Sequence, residues 1–460
     1  MRSSRREFLK RSAAAGAMVS LPFSATARRT QAQDVNSQLT VAAIGVGGSR
    51  GAYSQGGAIG RRAAQHARMI AVCDCDEVHM AEFNKHFENK LAMYGDYRKL
   101  LESEKPDIVT IGTPDHWHIP IAIAALRAGC DVYCEKPLTL TIAEGIQICK
   151  VVKETGRVFQ VGTQQRSEDG SRFLQAIAIA QSGRLGKNVK AYAAVGGGTV
   201  GGPFENTKPP EGLDWDMWLG PAQEAKYSNE RRKEFRWYYD YSGGKMTDWG
   251  AHHIDIAQWA LGHDRTGPVK ISGQGKFTPI VPDNFDWTAY LAGKASLPNG
   301  YHTPSEFGLY LEYADGSVLH VCDTYSREEG KIHFPNGILL EGDEGRIYVN
   351  RDRITGKPIE ELTDADKKEL EDQVVKLYKG KQPGDHMRDF FDAVKSRGVP
   401  ISDVESHHRT MTSCHLANIA LMLGRELKWD PDKQEFDGDE QATMLMSRPR
   451  REKYSWEATT

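Results

Sequence analysis

The stretch GGKMTDWGAHHIDIAQW, residues 243–259, sets two histidines between two aspartates. On a helix turning about 100° per residue, Asp248, His252 and Asp255 fall within roughly 60° of one another. Trp259 continues that stripe, while His253 points elsewhere. An Asp–His pair at i, i+4 orients an imidazole and stabilises its protonated form, which is what a general base on a hydroxyl needs. The same residues also read as a helix capped by Thr247 or Asp248, with its histidines satisfied in the core. A second chemical candidate is Lys136 in EKP, residues 135–137. A lysine at the C-terminal end of a strand polarises or protonates a substrate oxygen; the plainer alternative is a surface lysine in a turn. Pro137 fixes the backbone beyond it, and an X-Pro bond is one that can be cis.

The elements around Lys136 argue for the chemical reading. LTVAAIGVGG, residues 39–48, is a short apolar strand running into Gly45, Gly47 and Gly48, then Ser49, Arg50 and Gly51. This resembles G-x-G-x-x-G with Arg50 at the last position. Such glycines let the chain approach a pyrophosphate, and the following helix offers its N-terminus to the anion. A second strand, MIAVCD, ends in Asp74, placed to accept hydrogen bonds from ribose hydroxyls. No Arg or Lys directly follows it, which favours NAD over NADP. The gap from Gly45 to Asp74 is long, and SQGGAIG (54–60) is extra glycine-rich chain that accounts for it. Strands at 107–114, 131–137 and 157–166 alternate with helices at 116–129 and 141–156, which predicts a doubly wound parallel sheet. Ligands bind at the carboxyl ends of such strands. Gly45, Asp74, Thr113, Pro114, Glu135, Lys136 and Gln164 all fall there. Trp117 and His118, just beyond TPD, and Tyr238–Ser242 are candidates for closing over a cofactor.

Four stretches in order, GVGGSRG, TPDHWH (113–118), CEKP (134–137) and GGKMTDWGAHHID (243–255), make the chain resemble the glucose–fructose oxidoreductase and inositol dehydrogenase family, Gfo/Idh/MocA, over roughly residues 38–430. The resemblance implies an α/β protein: an N-terminal Rossmann domain followed by an α+β domain with a large open, mainly antiparallel sheet whose exposed face forms a homo-oligomer, a dimer or tetramer. It implies NAD as cofactor and maps the family's usual triad to Lys136, Asp248 and His252. His252 is then the base, Asp248 orients it, and Lys136 stabilises the oxygen while hydride passes to the nicotinamide. That mapping agrees with the helix face, which selects His252 over His253. Arg166, Trp237, Tyr239, His253 and Asp255 are candidate substrate contacts, the aromatics because rings with polar edges stack on sugars. Hydride transfer needs no metal, and none is expected. The implied activity is oxidation of a hydroxyl on a sugar, glycoside or polyol. The alternative is a glycoside hydrolase that oxidises transiently, eliminates and reduces again.

The expected organisation is a signal and linker at 1–33, a Rossmann domain at 38–160, a substrate and oligomerisation domain at 161–440, and a tail at 441–460. SRREFLK (4–10), then AAAGAMVSLPF and ATA, reads as a twin-arginine export signal, placing the protein in the periplasm or otherwise outside. Residues 1–29 carry seven Arg/Lys and one acid, so their removal takes the formal charge from −3 to −9. An acidic mature protein argues against nucleic acid and anionic membranes as partners, and no apolar stretch reaches membrane-spanning length. Seven cysteines without framework spacing argue against a disulfide scaffold. Within the second domain, 310–325 and 337–350 are expected hairpins, 402–424 a helix with a Ser402–Glu405 capping box, and 282–305 a lid or subunit contact.

Overall fold

The computed structural model describes residues 38–454; the expected signal and linker lie outside the described residues. The first sheet is built from β1 (Thr40–Ile44), β2 (Arg68–Cys73), β3 (Ala92–Tyr94), β4 (Ile108–Ile111), β5 (Asp131–Cys134) and β6 (Phe159–Val161). All pairings are parallel and the order is β3-β2-β1-β4-β5-β6. Strands such as IVTI and DVYC are buried throughout because helices cover both faces, so they read as unbroken apolar runs rather than alternating ones. The crossover helix Ile142–Thr155 starts where the Thr141 hydroxyl accepts from the Glu144 amide at 3.2 Å and ends at Gly156, φ 62°.

The glycine loop departs from the expected spacing in an informative way. The helix after β1 is Gln55–Ala63, so SQGGAIG is the start of that helix, and the extra chain lies in the loop before it. The residue that lets helix and strands approach is Gly56: a Cβ there would run into the Gly45 carbonyl and press on Gly112. Gly56 thus does the close-packing work of the third fingerprint glycine, not Arg50 or Gly51.

The second sheet has nine strands: β7 (Lys190–Ala194), β8 (Lys270–Lys276), β9 (Glu306–Glu312), β10 (Val318–Cys322), β13 (Gly337–Glu341), β14 (Arg346–Val349), β15 (Ile354–Thr355), β16 (Leu427–Asp430) and β17 (Glu435–Phe436). A separate hairpin, β11 (Tyr325–Arg327) and β12 (Ile332–Phe334), lies between β10 and β13 in the chain. The order is β15-β14-β13-β7-β10-β9-β8-β16-β17, antiparallel except for β7 beside β10. Both expected hairpins form, β9–β10 around Asp315-Gly316 and β13–β14 around Glu344-Gly345.

Between the sheets lie two helices with almost no polar face to water. Every residue of Gly250–Ala260 is buried, as are nearly all of Val404–Leu423. A helix buried all round cannot be amphipathic in the usual sense, so its polar residues must find partners inside. The second helix is capped by Asp403, which accepts from the amides of Glu405 and Ser406, one residue beyond the expected Ser402. Ser402 instead bonds the Thr163 hydroxyl. Residues 441–454, expected as a tail, are packed. Arg451 Nε donates to the Gly220 carbonyl at 2.7 Å, and the Tyr454 ring stands 5.4 Å from that of Trp117.

Candidate active site

A cavity of about 410 Å³ runs along the carboxyl edge of the parallel sheet. Gly45 and Gly47 after β1, Asp74 after β2, Thr113 and Pro114 after β4, Glu135 and Lys136 after β5, and Gln164 after β6 line it. Gly45 sits at φ 72°, and any side chain there would strike Thr113. The Asp74 carboxylate accepts from the amides of Val46 (3.0 Å) and Gly47 (3.1 Å), holding the turn open. Burial pushes its pKa up, but His79 beside it and the amides of Asp76 and Gly47 outweigh that and hold it below the usual range. Helix Gln55–Ala63 has no side-chain cap and no acid in its first turn, so no side chain competes with an anion there, although Gly57 N donates to the Val46 carbonyl at 2.7 Å. These residues fit a dinucleotide: a bare turn and an uncapped helix N-terminus for the pyrophosphate, a carboxylate for a ribose, and Lys136 at the far end.

Other residues expected at the cofactor are held aside. The Ser49 amide donates to Glu82 at 2.9 Å, and its hydroxyl bonds the same carboxylate. Gly48 faces Glu82 and His79. Arg50 reaches the Glu211 carbonyl at 2.7 Å. His118 turns both ring nitrogens to carbonyls, Pro137 at 2.7 Å and Thr113 at 2.9 Å, tying the β4 loop to the β5 loop.

The second half of the chain supplies the reactive end. Lys245–Asp248 and Gly250–Ala260 form two helical pieces joined at Trp249. They begin at Gly244, so neither Thr247 nor Asp248 caps them. Asp248 and His252 face the cavity beside Lys136. The Lys136–Pro137 peptide is cis. Lys136 Nζ lies 2.5 Å from Asp248 Oδ1, Arg236 Nε lies 3.3 Å from the same oxygen, and Lys245 Nζ lies 4.0 Å from Oδ2. Burial raises the Asp248 pKa, but Lys136 and Arg236 more than offset this, bringing it to about 2. Asp248 therefore fixes Lys136 rather than orienting His252, because three cations compete for its carboxylate.

His252 is buried, and its Nδ1, itself a buried atom, has no hydrogen-bond partner among the described residues. Burial, then the charges of Lys136 and Arg351, hold its pKa well below the usual histidine value. It is neutral at neutral pH and free to take a proton.

None of the five expected substrate contacts lines the cavity. Asp255 shares the His252 face but lies about 10 Å from Asp248 along the helix axis. There it pairs with Arg166 (Nε–Oδ2 2.7 Å, Nη2–Oδ1 2.6 Å) and accepts from Thr410 at 2.8 Å. His253 Nε2 meets Asn336 Oδ1 at 3.0 Å. Trp237 Nε1 donates to Glu234 at 3.2 Å, and the Tyr239 hydroxyl to Asn418 at 3.1 Å. All five are buried structural groups. Tyr53, Trp218, Phe235, Arg236, Trp249 and Arg351 line the cavity instead. The aromatics expected at Trp237 and Tyr239 pointed to this part of the chain without naming any of them; Arg351, in the β14–β15 turn, has no local signal.

Residues 39–163 match the model of an oxidoreductase family with an NAD-binding Rossmann fold, and residues 184–279 and 309–456 match that family's C-terminal alpha/beta domain. The chain belongs to the Gfo/Idh/MocA family. This oxidoreductase is 28% identical over 345 residues to D-glucoside 3-dehydrogenase of Escherichia coli (strain K12), covering 69% of the chain and 88% of that enzyme. It is 38% identical over 277 residues to levoglucosan dehydrogenase of Pseudarthrobacter phenanthrenivorans, 58% of the chain and 60% of that enzyme. Its fold matches the aldose–aldose oxidoreductase of Caulobacter crescentus solved with glycerol (TM-score 0.56, 17% identity, 85% of this chain and 100% of that one). The oxidoreductase is thus an NAD-dependent enzyme with an α/β fold.

Burial makes this oxidoreductase acid-sensitive in a definite window. Burial lowers the pKa of His253 and His408 to about 4 and of His116 and His415 to about 3. The unfolded chain binds a proton at each near pH 6.5, so stability is complete above that value and falls as pH drops toward the folded values. Each such histidine contributes up to about 1.4 kcal/mol per pH unit in that window. Urea midpoints should fall steeply between pH 6.5 and 5; a flat profile there would contradict the neutral buried histidines.

Proposed function

We propose that this enzyme oxidises a hydroxyl of a sugar, glycoside or related polyol and retains its nicotinamide between turnovers. The observation that carries the reading is the convergence of Lys136, Asp248 and His252 at one end of a cavity whose other end is the Gly45–Gly47 turn. Bound NAD supplies the hydride acceptor. His252 accepts the hydroxyl proton; its neutrality and its place in the cavity wall beside Lys136 suit it to that role. Lys136, held by Asp248, stabilises the charge that develops on the substrate oxygen. Tyr53, Trp218 and Trp249 present ring faces and edges for a sugar.

A strap from the second half crosses the cofactor edge. Glu77 N donates to the Gly212 carbonyl and Asp214 N to that of Cys75, each at 2.9 Å, and Arg232 pairs with Asp76. With Trp117, which donates to the Met217 carbonyl at 2.9 Å, this strap, rather than His118 or Tyr238–Ser242, favours slow dissociation. It also suits export of a folded, loaded protein through the twin-arginine route to a periplasm where free NAD is not maintained. Protein purified without added cofactor should carry near-stoichiometric NAD(H) through dialysis, assayed in the supernatant after denaturation. An empty site that rebinds NAD weakly would contradict this.

A captive cofactor equally favours an oxidise–eliminate–reduce glycosidase, which restores it in each cycle. Nitrophenyl glycosides without added NAD separate the two: free nitrophenol marks the glycosidase, a ketosugar with its aglycone retained marks the dehydrogenase. The exposed Tyr310 ring, stacked at 4.6 Å on His320 of the neighbouring strand, supports a homo-oligomer through the open sheet face.

A further inference from the structure

The reactive end of the cavity is rich in cations, and one of them, Arg351, stands outside its ion pairs. Lys136, Arg236 and Arg351 line it, and Lys245 reaches the same carboxylate as the first two. That carboxylate, Asp248, is the ion-pair partner of Lys136, Arg236 and Lys245, while Arg351 has Asp169 as a more distant acidic neighbour. Arg351 makes no ion pair with any described residue; its guanidinium lies 4.8 Å over the Trp249 ring, which also neighbours His253, centroids 5.1 Å apart, and His252, 5.8 Å apart. The other acids of the cavity are hydrogen-bonded, and Glu135 and Asp115 also stand near Lys136 and Arg236. Asp74 takes the loop amides, Asp115 the Ser242 hydroxyl at 2.5 Å, and Glu135 the Gln55 and Gln164 amides at 3.2 Å each. The residues that fit a pyrophosphate lie at the opposite end, so the cofactor does not neutralise this cluster.

Three cations share the Asp248 carboxylate, and Arg351, in no ion pair among the described residues, adds a fourth to the wall of a partly enclosed cleft beside His252. Such a cleft focuses its field outward and concentrates anions. A guanidinium already stacked on an aromatic ring is pre-organised, and its flat fork matches a carboxylate, sulfate or phosphate in two hydrogen bonds. We propose that the sugar bound here carries an anionic group, seated against Arg351 with Arg236 as the second cation, so that the substrate class is acidic sugars rather than neutral ones. This rests on the reading of the site as a sugar oxidoreductase.

The test uses the full chain with the nicotinamide it retains. Reduction of that nicotinamide is followed by its fluorescence with matched pairs, glucose against glucuronate and galactose against galacturonate, and with glucose 6-phosphate and glucose 6-sulfate. The anionic member should show kcat/KM higher by on the order of 10–100-fold, the range for a hydrogen bond to a charged group. Which anionic arm reacts identifies the group. Because Arg351 is exposed, the preference should shrink as salt is raised. R351Q should collapse the anionic-to-neutral ratio at least tenfold, and R351K should restore part of it. Neutral sugars reacting as well as their acidic partners, or R351Q slowing both equally, would overturn the inference and leave the oxidoreductase reading standing. No reduction by any sugar would overturn that reading and the inference with it.

Discussion

Replacing His252 with alanine should lower the rate of bound-nicotinamide reduction by 10²–10⁴-fold, the contribution of a positioned general base, and leave the cofactor in place. The imidazole lines the cavity, is neutral, and bonds through Nδ1 to nothing among the described residues, so its removal breaks no structural bond there. His253→Ala should do the reverse. That ring is anchored on Asn336 in the core, so its loss costs stability and little turnover in the protein that folds. Single-turnover kinetics beside thermal unfolding separate the two. If His253→Ala proves the slower enzyme, the assignment of the base is wrong. Lys136→Ala should also be slow. Asp248 would keep Arg236 at 3.3 Å, so the fold should tolerate the loss better than the chemistry does.

The largest stability effect should come from a residue that also looked chemical in the sequence. Asp255 and Arg166 are 1% and 2% exposed, and their bidentate pair links the end of the parallel sheet to both central helices through Thr410. Burial alone would raise the Asp255 pKa, but the Arg166 guanidinium pulls it far below the usual carboxylate range. Removing one member leaves the other as an uncompensated buried charge, which costs about 3–5 kcal/mol. Asp255→Ala should therefore lower the unfolding free energy by that amount without a specific loss of turnover at low temperature. The double variant Arg166→Met with Asp255→Leu should recover much of it, since an apolar pair of similar volume removes both charges together. A double variant as unstable as the single would show that the loss lies in packing rather than in the orphaned charge.

The contrast between Asp248 and Asp255 shows how much the sequence could say. Strand–helix alternation made the parallel sheet legible, and the strand ends then put Gly45, Asp74, Glu135 and Lys136 on one edge. Angular position on the helix separated His252 from His253, because that depends only on a period of 3.6. It could not separate Asp248 from Asp255, which share an angle and differ in height along the axis, so only the packing against β6 and the Val404–Leu423 helix reveals which one meets the cavity. Nor could it show that Asp248 serves Lys136, because Arg236 and Lys245 reach it through tertiary folding. Arg351 was invisible for the same reason. Gly56 was visible but misread: an insertion of unknown length hides which glycine meets the strand.

The measurement that bears most directly on the central claim is isotope transfer within the purified enzyme. The protein, still carrying its own nicotinamide, is mixed with a sugar deuterated at its ring carbons, and the nicotinamide is then extracted and weighed by mass spectrometry. Direct hydride transfer at the Lys136–Asp248–His252 end of the cavity requires one deuterium in the reduced nicotinamide from the wild type and almost none from His252→Ala in the same time. Oxidised sugar appearing while the nicotinamide stays unlabelled, or full labelling in His252→Ala, would contradict it.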